Sequence, residues 1–386
     1  MKILHLCLSC FYIDDWSYQE NELVRQHVKD GHDVLVIAST ETYDAKAQMI
    51  YCSPCEYMGS DGARVIRLPY HRLLPHKIMR KLRVYEGVYE AIKAFAPDTI
   101  LFHGAGAYEI NTVARYARNH PEVPLYVDSH TDFSNSAQGF VAREVLHKLY
   151  YRQCLQAALP EIDKLLGVTP ERCDFLHDVY GVPKDRIELF PMGGHPVHDP
   201  DYAARRNRTR AALSLSADTI AFAYTGKMRL RRKPIETLTA FIEHAPPDSV
   251  LLIGGILLDG HEKARLETLI ASDPRIRFLG WQQPEQLTDL LCATDVYLNP
   301  GTHSSTNEQA VCCRCAFALN DAPVSRALLS DSGENGWFLN SKTSLADVFC
   351  ATFNADIQQM KALSYNLACQ NLDYAMLAKR VLFRPE

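Results

Sequence analysis

Three stretches of this 386-residue chain set reactive or anion-binding side chains at the ends of predicted strands. Tyr224-Thr225-Gly226-Lys227 closes one strand, and Lys233-Pro234 opens the helix that follows. Gly226 lets the backbone approach a ligand. Lys227 and Lys233, on either side of the turn, could both reach a diphosphate at the helix N-terminus. Arg229, Arg231 and Arg232 complete a basic cluster that suits an anion, or equally a solvated loop. After the strand ending at Asn299-Pro300, the small hydroxyl residues Ser304, Ser305 and Thr306 precede a helical Glu308-Gln309-Ala310-Val311. They read as a helix cap, with backbone N–H groups free for phosphate. Glu308 could accept both hydroxyls of a ribose, or simply complement the helix dipole. The third stretch, Val127-Asp128-Ser129-His130-Thr131-Asp132, leaves a strand end with His130 able to position or polarise a hydroxyl. The chain has 15 histidines, so position rather than residue type argues for this one.

Metal chemistry is weaker. The 12 cysteines include Cys7 with Cys10 and Cys52 with Cys55, but these pairs lie too far apart for a zinc ribbon. Cys7 falls on a predicted strand, where a small apolar side chain is enough. Reduced thiols and no metal are expected. Asp199-Pro200-Asp201 mimics an Asp-x-Asp metal motif but reads as turn chemistry.

Strands must hold these stretches in place, and the chain supplies them in two series. Ile3–Leu8, Asp33–Ala38, Val65–Leu68, Thr99–Phe102, Leu125–Asp128, Lys164–Val168 and Arg186–Phe190 read as strands. Helical runs Glu20–Asp30, Lys81–Phe95, Ala107–Asn119, Ala142–Ala157 and Glu171–Tyr180 lie between them. The Gly- and Pro-rich segment 191–200 reads as a linker. The second series has strands Ile220–Tyr224, Ser249–Ile253, Ile276–Leu279 and Val296–Asn299, with helices Ile235–His244, Glu262–Ser272 and Pro284–Cys292. Such alternation predicts an α/β chain of two parallel-sheet domains with helices on both faces, and a cleft where their strand ends face each other. The boundaries fall at 1–197, 198–355 and a helical 356–386 that returns to the first domain.

Length agrees with this at about 150 residues per domain. The composition, 47% hydrophobic and 23% charged, excludes disordered and fibrous classes. A net charge of -5 makes general nucleic-acid binding an unsuitable default. No apolar run is long enough to span a bilayer, and Met1–Cys7 runs directly into a strand pattern, so a cytoplasmic location is expected.

The order of motifs resembles the family-4 type of glycosyltransferases with the GT-B fold, two Rossmann-like domains facing across a cleft. Met1-Lys2-Ile3-Leu4-His5 resembles their first strand, and Gly31-His32-Asp33-Val34 their step into the second. Gly181-Val182-Pro183-Lys184-Asp185-Arg186-Ile187 resembles the run before the linker. Thr225-Gly226-Lys227 with Lys233 looks like the donor-diphosphate pair, and Phe278-Leu279-Gly280-Trp281 like the segment at the nucleobase. Ala293 to Pro300 is similar to the strand that follows. Three places depart from the pattern: Pro300 stands eight residues before Glu308 where a first Glu is usual, Arg314 and Ala316 replace a Gly and a Pro, and Asp14 to Glu20 replace a Gly-Gly pair.

The resemblance implies a retaining transfer of sugar from a UDP- or GDP-linked donor to a hydroxyl of a saccharide or lipid-linked acceptor, in cell-surface polysaccharide or glycoconjugate assembly. His130, Lys227, Lys233 and Glu308 would be catalytic. Gly226, Trp281 and Ser304 to Thr306 would also hold the donor, and Tyr18, Asp128 and Asp132 the acceptor. No cofactor or metal is implied. Two other readings stay open: a nucleotide-sugar epimerase, and a non-catalytic nucleotide-sugar-binding partner. Between Arg64 and Arg83 lie seven Lys and Arg residues, no acidic ones, and interleaved apolar side chains. That stretch suits either peripheral contact with anionic lipid at the inner face of the membrane or a basic face covering the sheet.

Overall fold

The computed structural model describes residues 1–384 apart from 45–47, 134, 259, 261 and 331–333. Two compact units form, one from Met1–Met192 together with the segment beginning at Tyr374, the other from Gly193–Asp373. In the first unit the strands are β1 Lys2–Cys7, β2 Asp33–Ser39, β3 Glu41–Tyr43, β4 Met49–Tyr51, β5 Cys55–Met58, β6 Arg64–Leu68, β7 Thr99–His103, β8 Leu125–Ser129, β9 Lys164–Gly167 and β10 Ile187–Leu189. Its main sheet runs β10-β9-β8-β7-β1-β2-β6-β5, parallel except for β5, while β3 and β4 pair separately. The second unit has β11 Ile220–Met228, β12 Ser249–Leu257, β13 Ile276–Gly280, β14 Val296–Asn299, β15 Ala316–Asn320 and β16 Gly336–Leu339. They form one parallel sheet in the order β13-β12-β11-β14-β15-β16.

Helices cover both faces of the first sheet, which is why its central strands are mostly apolar, with the buried His5, His103 and Asp128 as exceptions. Leu4, Leu6, Ile37, Phe102 and Val127 point to one face. The neighbouring positions Leu101, Tyr126 and Leu166 point to the other, where they meet Leu23 of helix Gln19–Lys29 and Tyr374, Leu377 and Val381 of the returning segment. In each sheet the chain reverses direction around its first strand: β1 lies between β2 and β7, and β11 between β12 and β14. Ligands of open α/β sheets sit at the carboxyl ends of the strands beside such a reversal.

Both domain boundaries differ from the sequence expectation. The first falls at 192/193 rather than 197/198, because Gly194 bridges to Asp373 and bonds Leu372 O within the second unit. The return begins at 374 rather than 356, since helix Ile357–Leu367 and the turn after it bury Leu367, Ala368 and Leu372 beside Val311 and Phe317. The expected helix 81–95 is two helices, His76–Leu82 and Val88–Phe95, separated where Arg83 and Gly87 take left-handed backbone (φ 55° and 77°). The expected helix 142–157 is a π-helical run, Val141–Tyr151, followed by α-helix Arg152–Ala158.

Helix Asp201–Ala212 was not expected from the sequence. It is anchored by charge: Arg206 and Arg210 reach the buried Asp295 at 2.7 and 3.2 Å, and Lys361 joins them at 3.0 Å. Asp295 also accepts the Ala221 N–H at 2.9 Å, so one carboxylate ties together two helices and two strands. Burial alone would raise its pKa, but Lys361 and Arg206 hold it below the ordinary carboxylate range.

Candidate functional site

In the second unit the candidate donor residues come from the carboxyl ends of β11, β13 and β14 and from the segments that directly follow them. Gly226 takes φ 114°, a conformation that strains any side-chain-bearing residue. Arg232 lies against it, its guanidinium donating to Thr225 O at 3.3 Å, while Tyr224 OH donates to Arg232 O at 2.8 Å. These contacts fold residues 229–233 back over the strand end. Lys233 is the residue before helix Pro234–His244, with left-handed φ 57°, and both Lys227 and Lys233 are exposed. Neither lysine is in an ion pair among the described residues. Their positive charge therefore stands uncompensated beside a helix N-terminus, the arrangement that favours an anion.

The β14 loop packs directly on that turn. A Cβ on Gly301 would lie 2.4 Å from Arg231 O and Arg232 Cα, so only glycine permits the approach. Asn299 donates to Thr302 O at 3.2 Å and to Asn307 Oδ1 at 2.9 Å, holding the loop over the start of helix Thr306–Cys312. The expected side-chain cap is not formed. Ser305 precedes the helix in helical backbone without a side-chain hydrogen bond, and Ser304 Oγ instead meets Thr306 N at 3.4 Å. Glu308 is only 3% exposed. Its Oε1 is bonded to His303 Nε2 at 2.8 Å, while its buried Oε2 has no partner among the described residues. His303 was not singled out from the sequence, although it stands in the same short polar loop. Trp281 follows Gly280 at the end of β13, two strands from β11, and is 53% exposed.

In the first unit Asp128 is buried at the end of β8 with both oxygens engaged. Oδ1 accepts the Gly104 N–H at 2.8 Å and Oδ2 meets His103 Nδ1 at 2.5 Å. His130 Nε2 lies 3.7 Å from the same Oδ2, beyond hydrogen-bond range. Burial opposes the charge on Asp128, but His103 and then His130 hold it far below the usual carboxylate value. Burial likewise opposes protonation of His103, and Asp128 overrides it, raising the imidazole to about 10. Enclosure lowers His130 less than Asp128 raises it, so it too sits above its ordinary value. Asp132 is turned toward Arg172, 3.4 Å away, and exchanges hydrogen bonds with Asn135. Tyr18 is exposed beside Trp16, just before helix Gln19–Lys29.

The basic stretch 64–83 is largely committed to internal contacts. Arg67 is buried against Asp14, Arg80 pairs with Glu41 at 2.6 Å, and Arg83 donates to Ser9 and to Gly106 O. Arg64 faces Glu56 at 3.6 Å. What remains exposed is Arg72, Lys77 and Lys81 with Leu73, Leu74 and Ile78. The Asp-x-Asp mimic is occupied as well: Asp199 pairs with Arg314 at 3.1 Å and Asp201 with Arg205 at 2.7 Å. No helix among the described residues is long and apolar enough to cross a membrane.

Comparison with known proteins agrees with this architecture. Residues 20–193 match the family described as a glycosyl transferase 4-like domain. A D-inositol 3-phosphate glycosyltransferase of Rhodococcus erythropolis is 27% identical over 161 residues, covering 39% of this chain and 36% of that protein. Its counterpart from Nocardia farcinica is 26% identical over 203 residues, 49% of this chain and 43% of that protein. The matches thus span less than half the length of these curated relatives. Among solved structures, Anabaena Alr3699/HepE in complex with UDP superposes with a TM-score of 0.63 at 14% identity, covering 99% of this chain and 98% of that one. WaaG, a glycosyltransferase involved in lipopolysaccharide biosynthesis, gives 0.60 at 13% identity over 98% of each. Residues 20–193 are thus similar to a glycosyl transferase 4-like domain, and the chain shares the fold of these GT-B glycosyltransferases.

Proposed function

We propose that the chain transfers a sugar from a nucleoside-diphosphate sugar to an acceptor hydroxyl, with retention at the anomeric carbon. The observation that carries this reading is the orphaned, buried Oε2 of Glu308, in the first turn of the helix that follows the Gly301 loop packed on the turn between Lys227 and Lys233. A buried carboxyl oxygen is costly without a donor, and a ribose hydroxyl supplies one. Lys227 and Lys233 neutralise the diphosphate as negative charge develops on the leaving group, a fixed-charge stabilisation that asks for no metal. Ser304 to Thr306 line the same donor site, and Trp281 stacks on the base.

On the acceptor side, Tyr18, Asp128 and Asp132 bind the incoming saccharide or lipid-linked alcohol, and His130 holds the donor sugar or steadies charge near its reacting carbon. The departing phosphate takes the acceptor proton. UDP is the first donor base to test, because Alr3699/HepE has been crystallised with UDP and with UDP-glucose. A role in cell-surface polysaccharide or glycoconjugate assembly follows from the lipid-linked acceptor. Arg72, Lys77 and Lys81, beside the exposed Leu73, Leu74 and Ile78, support contact with anionic lipid where such an acceptor resides.

Incubation with a panel of UDP- and GDP-sugars, with and without acceptor alcohols and with and without chelator, tests this. Acceptor-dependent release of nucleoside diphosphate, unchanged by chelator, is expected. Conversion of the donor to an isomer without acceptor would favour an epimerase, and tight binding without turnover a non-catalytic partner.

A further inference from the structure

Behind Asp128, a line of three buried histidines crosses the first unit beneath its helices. His103 Nε2 meets His5 Nδ1 at 2.9 Å, and His5 Nε2 meets His27 Nδ1 at 3.0 Å. His27 Nε2 ends the line on the carbonyl of Ala378 at 3.1 Å. His5, His27 and His103 are fully buried and Asp128 nearly so. Strand alternation explains the assembly: His5 on β1, His103 on β7 and Asp128 on β8 occupy one face of three adjacent strands. Helix Gln19–Lys29 lays His27 over them, and the returning helix Tyr374–Lys379 supplies the carbonyl.

We propose that His27, His5 and His103 are a proton-holding relay that sets the charge and the orientation of the Asp128–His130 pair, and so act as positioning residues for the sugar transfer proposed above. The inference rests on that reading only for the identity of the reaction. The proton count follows from geometry. Four links join the Ala378 carbonyl, three imidazoles and the Asp128 carboxyl, and both terminal groups are acceptors. Four hydrogen bonds need four protons. Three neutral imidazoles bring three, one donor nitrogen each, so the line is satisfied only when it holds one more.

Direction is fixed as well. The carbonyl only accepts, so His27 donates from Nε2 and accepts at Nδ1; His5 must then donate from Nε2 and accept at Nδ1. His103 therefore donates from Nε2. Its Nδ1 faces the carboxylate, and the additional proton resides there. Burial holds His5 well below its ordinary value and His27 at about 4, with the neighbouring imidazoles adding to the effect on His5. The same proton neutralises Asp128 from behind while the Gly104 N–H fixes its other oxygen. Oδ2 is thereby left facing His130 with a defined charge. The titratable neighbours that bear on the line are Cys7 on β1, Glu20 on the overlying helix, Asp30 and His32 beside His27, and Arg172 beside His130.

Long-range proton–nitrogen spectra of the full chain with 15N-labelled histidine, recorded from pH 5.5 to 8.5, read each imidazole directly. Single His→Gln variants assign the signals. His5 and His27 should remain neutral with the proton on Nε2 throughout, while His103 carries both protons at pH 7. A neutral His103 beside an ionised Asp128, or His5 or His27 protonated on Nδ1 instead, would overturn the relay without recourse to any variant. In His103→Asn, which removes the cation from Asp128, the titration midpoint of His130 should shift upward, and the acid limb of the transfer rate should follow it. An unmoved midpoint in the folded variant would refute the positioning role. A protein that transfers no sugar yet gives the expected spectra would defeat the functional reading and leave the relay standing.

Discussion

Glu308→Gln tests the donor site with the least change of shape. The carboxyl is 3% exposed, one oxygen is held by His303 at 2.8 Å, and the other has no partner among the described residues. A glutamine keeps the His303 contact through its carbonyl and puts an NH2 where the orphaned oxygen was. The free protein should change little in stability, since one buried unsatisfied polar atom replaces another. The complex should lose one charge-assisted hydrogen bond from a ribose hydroxyl, worth about 1.5–3 kcal/mol. At about 1.4 kcal/mol per factor of ten, the dissociation constant for a nucleoside diphosphate should rise roughly 10- to 150-fold. Titration calorimetry with UDP and GDP measures it, and the 2′,3′-dideoxy nucleotides close a double-mutant cycle, because they lack the hydroxyls that Glu308 is proposed to accept. The variant and the parent should bind the dideoxy ligands alike. Equal losses for ribose and dideoxyribose would mean that Glu308 acts elsewhere, and no loss with either would refute a nucleotide at this loop.

Alanine at both Lys227 and Lys233 should weaken diphosphate binding by at least tenfold and flatten its salt dependence, while binding of the unphosphorylated nucleoside stays within twofold by calorimetry. Asp295→Asn should destabilise the second unit by about 3–5 kcal/mol, the usual cost of stranding buried cations, read here by denaturant unfolding as the loss that leaves Arg206, Arg210 and Lys361 unmatched. Because the folded pKa of Asp295 is depressed, its contribution is present above the unfolded value near 3.9 and disappears as pH falls through the folded one. The parent and the asparagine variant should therefore converge in stability only at strongly acid pH. Arg314→Gly should unfold at higher denaturant than Arg314→Ala by about 1 kcal/mol, since position 314 has φ 65° and alanine pays the left-handed penalty. The parent should sediment with vesicles containing anionic lipid, and Leu73→Glu combined with Ile78→Glu should return it to the supernatant. Equal recovery of the parent with and without anionic lipid would count against membrane contact.

The central strands were readable because a parallel strand covered on both faces is apolar throughout, and such runs separated by amphipathic helices leave few alternatives. Helix Asp201–Ala212 escaped notice for the opposite reason. Its inward side is made by Tyr202 and Arg210, with Arg206 beside them, and it buries charge on Asp295 rather than forming an apolar stripe. β15 and β16 were not read from the sequence, although at five and four residues they are as long as β13 and β14, which were. Within the proposed site, the sequence singles out Gly226, Lys227 and Lys233 because a strand end beside a glycine lets backbone approach an anion. It does not single out the pairing of His303 with Glu308, because that depends on the conformation of the loop between them. The histidine relay was beyond reach for a different reason: its members lie on two strands and a helix far apart in sequence, and a polar residue in a strand reads as solvent-facing until the covering helix is seen.

The departures from the family pattern carry unequal weight. Arg314, where a glycine is usual, keeps the left-handed backbone that glycine would supply. Its guanidinium stacks on Tyr202 and Tyr365 at 4.2 and 3.9 Å and donates to Val197 O, so it braces the start of the second unit. That substitution exchanges flexibility for packing within the second unit, a structural role that is not by itself evidence for a non-catalytic partner. Pro300 is different. It stands where the family pattern has a carboxylate, so one acidic group fewer is offered to the proposed donor, whereas the orphaned oxygen of Glu308 remains. A chain that had lost its ligand would have no reason to retain a buried carboxyl half satisfied. The conflict between these two residues is decided by turnover: measurable acceptor-dependent transfer by the parent that falls with Glu308→Gln would show that one carboxylate suffices.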